Sequence, residues 1–268
     1  MPELPEVERA RALLERAALG RRIASVDDTD AFVCRPHRPG EIAAALEGAM
    51  LVSAHRRGKA MWVETDGEAV LGLHLGMAGR IVVDDATEGD PPDGAEARGD
   101  KAATAHPRGW DRFTLTFADG GRLVLRDKRR LGRVRLDPDL AGVGPDAAEV
   151  SREAFRAAVG AGRAPLKARL MDQSAIAGVG NLLADESLWR ARLDPRRPAG
   201  ELADHELDRL RRMLRAATRD AIRRGGVHTG EVIPFRRRGA ACPRCGAPME
   251  RATIGGRTTW WCPQEQRV

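Results

Sequence analysis

The sequence predicts an α+β protein whose strands and helices are segregated along the chain. Three observations predict it. Residues 21–83 and 112–127 carry short runs of alternating apolar and polar side chains broken by Gly and Asp, the period of half-buried strands. From residue 151 the apolar positions recur at intervals of three and four, the period of helices. Three of the four cysteines fall after residue 241, which is not the pattern of a secreted disulfide framework. A β-rich N-terminal domain, a helical middle and a short Cys-bearing module follow. No internal repeat is visible.

Residues 5–19 (PEVERARALLERAAL) place Val7, Ala10, Leu13, Leu14 and Ala17 at helical spacing, with Pro5 near the start and Gly20 as the stop. RRIASVD, MLVSAHR, KAMWVET and AVLGLHL then read as strands. Residues 84–109 read as a flexible, solvated loop, because acids dominate 84–100 and no large apolar residue appears there. RFTLTFADGGRLVLRD is a hairpin around Asp119-Gly120-Gly121. The N-terminal domain is placed at 1–137 and a linker at 138–150. Helices follow in SREAFRAAV, in PLKARLMDQSAIAGVGNLLADESLW and in HELDRLRRMLRAATRDAIRR, giving a helical domain at 151–235 and the Cys module at 236–268.

Lys+Arg is 45 against Asp+Glu 39, net +6, and only Lys59, Lys101, Lys128 and Lys167 are lysines. Arginine stays charged and forks onto phosphate, whereas lysine can be tuned for proton transfer. No apolar run approaches the ~20 residues that span a bilayer. Glu3, Glu6 and Glu8 occupy the place where a secretory leader needs positive charge. A cytoplasmic protein with an anionic partner and no membrane contact is expected.

The octapeptide MPELPEVE is the strongest single signal. Removal of Met1 leaves Pro2 as a secondary amine, and an α-amine with a pKa of about 7.7–8.0 is partly unprotonated at neutral pH. Such an amine attacks a sugar C1′ and gives a cationic iminium, for which Glu3 and Glu6 are near enough in sequence to supply protons. An ordinary helix start, with acids complementing the dipole, is the competing reading of the octapeptide alone.

With RRGK at 56–59, HLGMAGR at 74–80, DKRRLG at 127–132, LKARLMDQSAIAGVGNLLADE at 166–186, GG at 225–226 and CPRCG…GGRTTWWCP at 242–263, the chain resembles the formamidopyrimidine-DNA glycosylase / endonuclease VIII family. The resemblance implies an N-terminal β-sandwich behind a helix, a helix–two-turns–helix domain and a zinc-ribbon-like hairpin. It implies a monomeric base-excision-repair glycosylase and AP lyase acting on double-stranded DNA at a damaged base or abasic site, in the bacterial cytoplasm at the nucleoid. A silent or lyase-only damaged-DNA binder on the same scaffold is the rival. By resemblance Pro2 is the Schiff-base nucleophile, Glu3 protonates the sugar ring and Lys59 serves β-elimination. Arg56 and Arg57 are expected to depress Lys59 toward neutrality. Met77, Arg129 and Leu131 match residues that enter the duplex when a base is everted. Lys167 matches a phosphate contact. Gly178 and Gly180 are expected to let the backbone approach phosphate, and Asn181 to cap the next helix. Arg257 matches the arginine that grips phosphates beside the lesion and is assigned to δ-elimination.

The chain also departs from the family. Leu131 stands where purine-type members usually have Phe. Only VHTGEVIPFRRRGAA lies where a long lesion-capping loop is found, and the histidine that usually precedes the second hairpin is replaced around Trp110. Lesion choice is therefore expected to lean toward oxidised pyrimidines, ring-opened purines or bulky adducts. Cys242-x2-Cys245…Cys262-x2 has zinc-ribbon spacing, but Glu265 occupies the fourth position. A Cys3Glu zinc site, a water-completed site and a hairpin held by packing alone all satisfy the pattern. The module carries seven arginines against Glu250 and Glu265, which suits a DNA-facing surface. Cys34 is expected to be an ordinary buried or half-buried thiol.

Overall fold

The computed structural model describes residues 2–84, 86–89 and 108–267. Two compact units result: one holds Pro2 and Glu6–Leu140, the other Glu3–Pro5 and the chain from Ala141 onward.

In the first unit α1 (Leu4–Ala17) buries the stripe Val7, Ala10, Leu13 and Leu14. Four strands follow: β1 (Ile23–Asp27), β2 (Leu51–Arg57), β3 (Ala60–Thr65) and β4 (Val70–His74). They match the alternating runs read from the sequence. A helix that the sequence reading did not include, α2 (Glu41–Leu46), lies between β1 and β2. Its six residues are too few to show a period. What supports it is the buried Asp28 carboxylate, which accepts the N–H groups of Gly40, Ile42 and Ala43.

β5 (Arg80–Val83) pairs with β6 (Ala86–Gly89), so the expected loop 84–109 is corrected at its start. Glu88, counted among its solvated acids, instead accepts two hydrogen bonds from the Arg9 guanidinium at 2.8 and 2.9 Å. The rest of the loop, residues 90–107 with Lys101, lies outside the described residues. β7 (Asp111–Phe117) and β8 (Arg122–Arg126) form the expected hairpin, and β9 (Arg133–Leu136) completes the unit. Two antiparallel sheets, in the orders β1-β7-β8-β5-β6 and β2-β3-β4-β9, share one core that joins Leu71 and Met61 to Phe113, Phe117 and Ile81. This is a β-sandwich, with α1 contributing to its core. Cys34 is buried, and burial followed by Asp28, Asp30 and Asp27 pushes its thiol up to about 12, so it stays inert.

In the second unit the expected linker is anchored. Gly144 N–H donates to Gln173 O, and Ala147 and Val150 are buried. α3 (Arg152–Val159) is capped by the Ser151 hydroxyl. α4 (Leu166–Met171) is followed by two turns and α5 (Asn181–Ala191), the helix–two-turns–helix element. α6 (Asp204–Arg224) buries Leu207, Leu210, Leu214 and Ala217 and ends at Gly225 with φ +105°. A hairpin of β10 (Glu250–Ile254) and β11 (Arg257–Trp261) closes the chain, with Trp189, Val232, Cys242, Met249 and Cys262 as its own small core.

Candidate active site and nucleic-acid interface

The first unit supplies Pro2, Glu6, Lys59, Met77, Arg129 and Leu131. Pro2 and Glu6 are buried at the start of the chain. Two residues further, Glu8 accepts from Arg11 and from Arg56, the latter at 2.9 Å from a side chain that is only 5% exposed. Burial alone would raise Glu8, but the Arg11 and Arg56 guanidiniums outweigh it and hold the carboxyl below its usual range. This pair fixes α1 to the end of β2, where Gly58 (φ +60°) turns the chain and leaves Lys59 half-buried at the hairpin tip. His74, at the end of β4, feels the Lys59 charge. Desolvation first, then Lys59, Arg133 and Arg135, holds its imidazole below the ordinary histidine range, and its Nδ1 accepts the Gly76 N–H. His74 is therefore a neutral ring beside cations, a role that the HLGM motif contains but the sequence reading did not assign.

Met77 is 39% exposed and so is not a core side chain. Gly76 has φ +60°, and a Cβ there would strike the Leu131 carbonyl, so the HLGM and DKRRLG loops lie side by side. The second loop is tied from below by Asp127, fully buried, whose carboxylate accepts the N–H groups of Arg129, Leu131 and Gly132 at 2.6–2.8 Å. With its backbone so held, Arg129 is exposed and Leu131 half-buried. Asp127 is a functional support that the sequence reading passed over for the neighbouring cations.

In the second unit Glu3 is 1% exposed, and its carboxylate sits on the start of α5. Oε2 accepts from Gly180 N and Leu183 N, each at 3.0 Å, and Oε1 from Leu182 N at 2.8 Å. Leu4 N donates to Gly178 O, and Gln173 clamps the turn by donating to Met171 O and Val179 O. One expectation is corrected here, the capping by Asn181. A Cβ at Gly178 would meet Leu4 and one at Gly180 would meet Glu3, so these glycines admit the chain's own N-terminal residues. The anion at the helix start is the Glu3 carboxylate. Gly180 is the N-cap residue, and Asn181 is already inside the helix.

Lys167 is also corrected. It is fully buried, its Nζ lies 2.7 Å from Asp185, and it donates to Thr259 Oγ1 (2.8 Å) and Thr258 O (3.2 Å). Asp185 takes a second cation, Arg236, at 2.7 Å, and Arg236 also donates to Thr258 O. A lysine so enclosed is not a phosphate contact; it holds the strand that bears Arg257. Arg257 itself is exposed and follows the Gly255-Gly256 turn (φ +56° and +72°).

The Sγ atoms of Cys242, Cys245 and Cys262 lie within 4.8 Å of one another, and Cys245 and Cys262 are 3.4 Å apart. Thiolates about 2.3 Å from a tetrahedral zinc are about 3.8 Å apart, so the cluster fits that metal. Trp189 Nε1 donates to Cys242 Sγ at 3.4 Å. Although burial opposes it, this bond and the N–H groups of Arg244 and Cys245 hold Cys242 below the usual thiol range. Burial pushes Cys262 up to about 12, a value that a bound cation's charge would reverse. Glu265 is not brought into the cluster. Its carboxylate pairs with Arg244 and Arg192, each at 3.2 Å.

Residues 1–134 match the family profile described as the formamidopyrimidine-DNA glycosylase N-terminal domain, and residues 141–231 match the formamidopyrimidine-DNA glycosylase H2TH domain. A formamidopyrimidine-DNA glycosylase of Nocardioides sp. is 36% identical over 98% of this chain and 93% of its own length. That of Geobacillus kaustophilus is 35% identical over the whole of both. Among solved structures, the Lactococcus lactis Fpg complex with abasic-site DNA is similar at a TM-score of 0.81 and 26% identity, covering 99% of this chain and 100% of that one. The MutM (Fpg) protein of Thermus thermophilus is similar at 0.78 and 31% identity, covering 99% and 98%.

Proposed function

The chain belongs to the formamidopyrimidine-DNA glycosylase family, a base-excision-repair DNA glycosylase by fold and relatives, and we propose that it acts through Pro2 as a combined glycosylase and AP lyase. The observation that carries this reading is the placement of Glu3, next in sequence to Pro2. Three N–H donors fix its carboxyl group, two on Oε2 and one on Oε1, so the acid is held at a set position in the chain directly after the amine-bearing residue.

In the proposed sequence the Pro2 nitrogen lone pair forms a bond to C1′. The C1′–base bond breaks, and the base leaves with that electron pair and takes up the proton that the alkylated Pro2 nitrogen releases. The nitrogen lone pair then forms the C=N bond as the C1′–O4′ bond opens, and Glu3 delivers a proton to the ring oxygen, leaving a C1′ iminium. The iminium acidifies the C2′ hydrogen. Its removal, the step given to Lys59, expels the 3′ phosphate. Arg257 supports the second, δ expulsion of the 5′ phosphate by neutralising it. Glu6 completes the acidic N-terminal pair as a proton carrier. Met77, Arg129 and Leu131 fill the duplex when the damaged nucleotide is everted.

Oxidised pyrimidines, ring-opened purines or bulky adducts are the proposed lesions. The support is the short 227–241 segment, whose N–H groups at Glu231 and Val232 are held by Glu186. Zinc is proposed in the hairpin, held by Cys242, Cys245 and Cys262, where it would supply folding energy rather than chemistry. The enzyme is taken to act as a monomer at the bacterial nucleoid. Bacterial relatives support the bacterial setting. Among the described residues no helix is long and apolar enough to cross a membrane.

Borohydride trapping on abasic-site DNA, with protein verified to lack Met1, tests the lyase. A covalent complex mapping to Pro2 is expected, and failure to trap removes the Schiff-base reading.

A further inference from the structure

Apart from the loops already described, the first unit exposes one large aromatic ring among cations. Phe32 is 46% exposed. The guanidinium carbons of Arg35, Arg133 and Arg130 stand 4.0, 4.9 and 5.7 Å from its ring centre. The acid in this group is Asp30, and it is already committed. It accepts from the N–H groups of Phe32 and Val33, pairs with Arg130 at 2.7 Å and lies 3.8 Å from Arg112. Arg35, Arg133 and Arg135 make no ion pair among the described residues. Burial, and then the like charges of Arg35 and Arg135, lowers Arg133 from its usual value, although the Asp127 and Asp30 carboxylates act in the opposite direction.

The turn that bears Phe32 is joined to the DKRRLG loop. Val134 N donates to Val33 O, and Arg130 of the loop is the residue that grips Asp30. Arg133 follows Arg129 by four residues, hence by no more than about 14 Å. At about 3.4 Å of duplex per base step, that is within about four steps of the residue proposed to enter the helix.

We propose that Phe32, Arg35 and Arg133 form a second nucleic-acid contact, which grips the sugar–phosphate backbone of the duplex within a few base pairs of the Arg129 loop. The proposal rests on the reading that this loop engages DNA. An acidic polymer with one charge per nucleotide suits two guanidiniums that make no ion pair among the described residues, and the exposed ring gives the flat apolar face that a deoxyribose covers. Arg35 is the informative position: its recorded contacts are the Phe32 ring and the Phe32 carbonyl, so its removal leaves the fold's ion pairs intact.

The test is equilibrium binding of the full-length protein to a duplex bearing a stable abasic-site analogue, read by fluorescence anisotropy over a salt series. For Arg35→Gln the slope of log K against log salt is expected to fall by about 0.9, the loss of one phosphate contact. Arg35→Lys, which keeps the charge, is expected to retain the slope. Phe32→Ala is expected to weaken binding about three- to tenfold at fixed salt. Thermal melting of each variant confirms folding. Slopes and affinities equal to the unmodified protein's for both Arg35→Gln and Phe32→Ala would overturn the proposal while leaving the DNA reading intact. An unmodified protein that does not distinguish the abasic duplex from undamaged DNA would overturn both.

Discussion

Replacing Asp185 by Asn should be the most damaging single change in the second unit outside its apolar core. Asp185 and Lys167 are both fully buried and 2.7 Å apart, and the other Asp185 oxygen holds Arg236 at 2.7 Å. Asn keeps the shape but removes the only carboxylate between two cations. Breaking a buried pair from one side leaves an uncompensated charge and costs about 3–5 kcal/mol. For a chain of this size that is a fall in melting temperature of order 10 °C. Lys167→Met is the contrast. It leaves Asp185 still paired with Arg236 and still accepting the Trp260 N–H, so the cost should be only about 1–2 kcal/mol. Calorimetric melting of both variants, with urea unfolding as a second measure, decides it. A Lys167→Met protein as unstable as Asp185→Asn, or an Asp185→Asn protein that melts like the parent, would refute the reasoning. It would mean that the cluster is hydrated rather than dry.

Glu3→Gln should slow single-turnover base excision by about 100-fold or more. It should also destabilise the second unit by about 1–2 kcal/mol through loss of the charged acceptor at the start of α5, visible as a lower melting temperature. Glu8→Gln should cost about 1 kcal/mol at neutral pH. Because the folded-state Glu8 carboxyl lies below its ordinary value of 4.5, its contribution is present above that pH and is lost as pH falls beneath it. The stability gap between parent and variant should therefore close in acid, as read by urea melts at several pH values. Glu265→Cys should slow zinc loss to a chelator about tenfold by adding a fourth thiolate. Glu265→Gln should leave the rate unchanged, and a faster loss would restore Glu265 as a ligand. Met77→Ala should change stability by no more than about 0.5 kcal/mol, since the side chain is exposed, but weaken binding to lesion-bearing duplex in the anisotropy assay.

What the sequence showed well were features written in local periods. The α1 stripe, the hairpin at Asp119-Gly120-Gly121 and the buried face of α6 each follow from side chains within a few turns of one another. What it concealed were partnerships made across the chain. Glu3 reads as one of three acids in a helix start, yet its donors are 177 to 180 residues away. Lys167 looks like a phosphate ligand until Asp185 and Thr259 enclose it. α2 is invisible because its support, Asp28, lies outside it. In the DKRRLG run the cations draw the eye, whereas the acid at its head fixes the loop. The N-terminal octapeptide and the three cysteines were legible as chemistry. Which carboxylates are committed to backbone donors and guanidiniums was decided only by geometry.

The binding of Glu3 to residues 180–183 also sets an order of events during synthesis. At roughly 5–20 residues per second, the peptide N–H groups that hold Glu3 do not exist until about ten to forty seconds after Pro2 has left the ribosome. During that interval Glu3 has no partner at 180–183 to hold it. Once α5 is made, the carboxylate docks on its first turn. On the mechanism proposed above, removal of Met1 belongs to this interval, before the residue next to Pro2 is fixed.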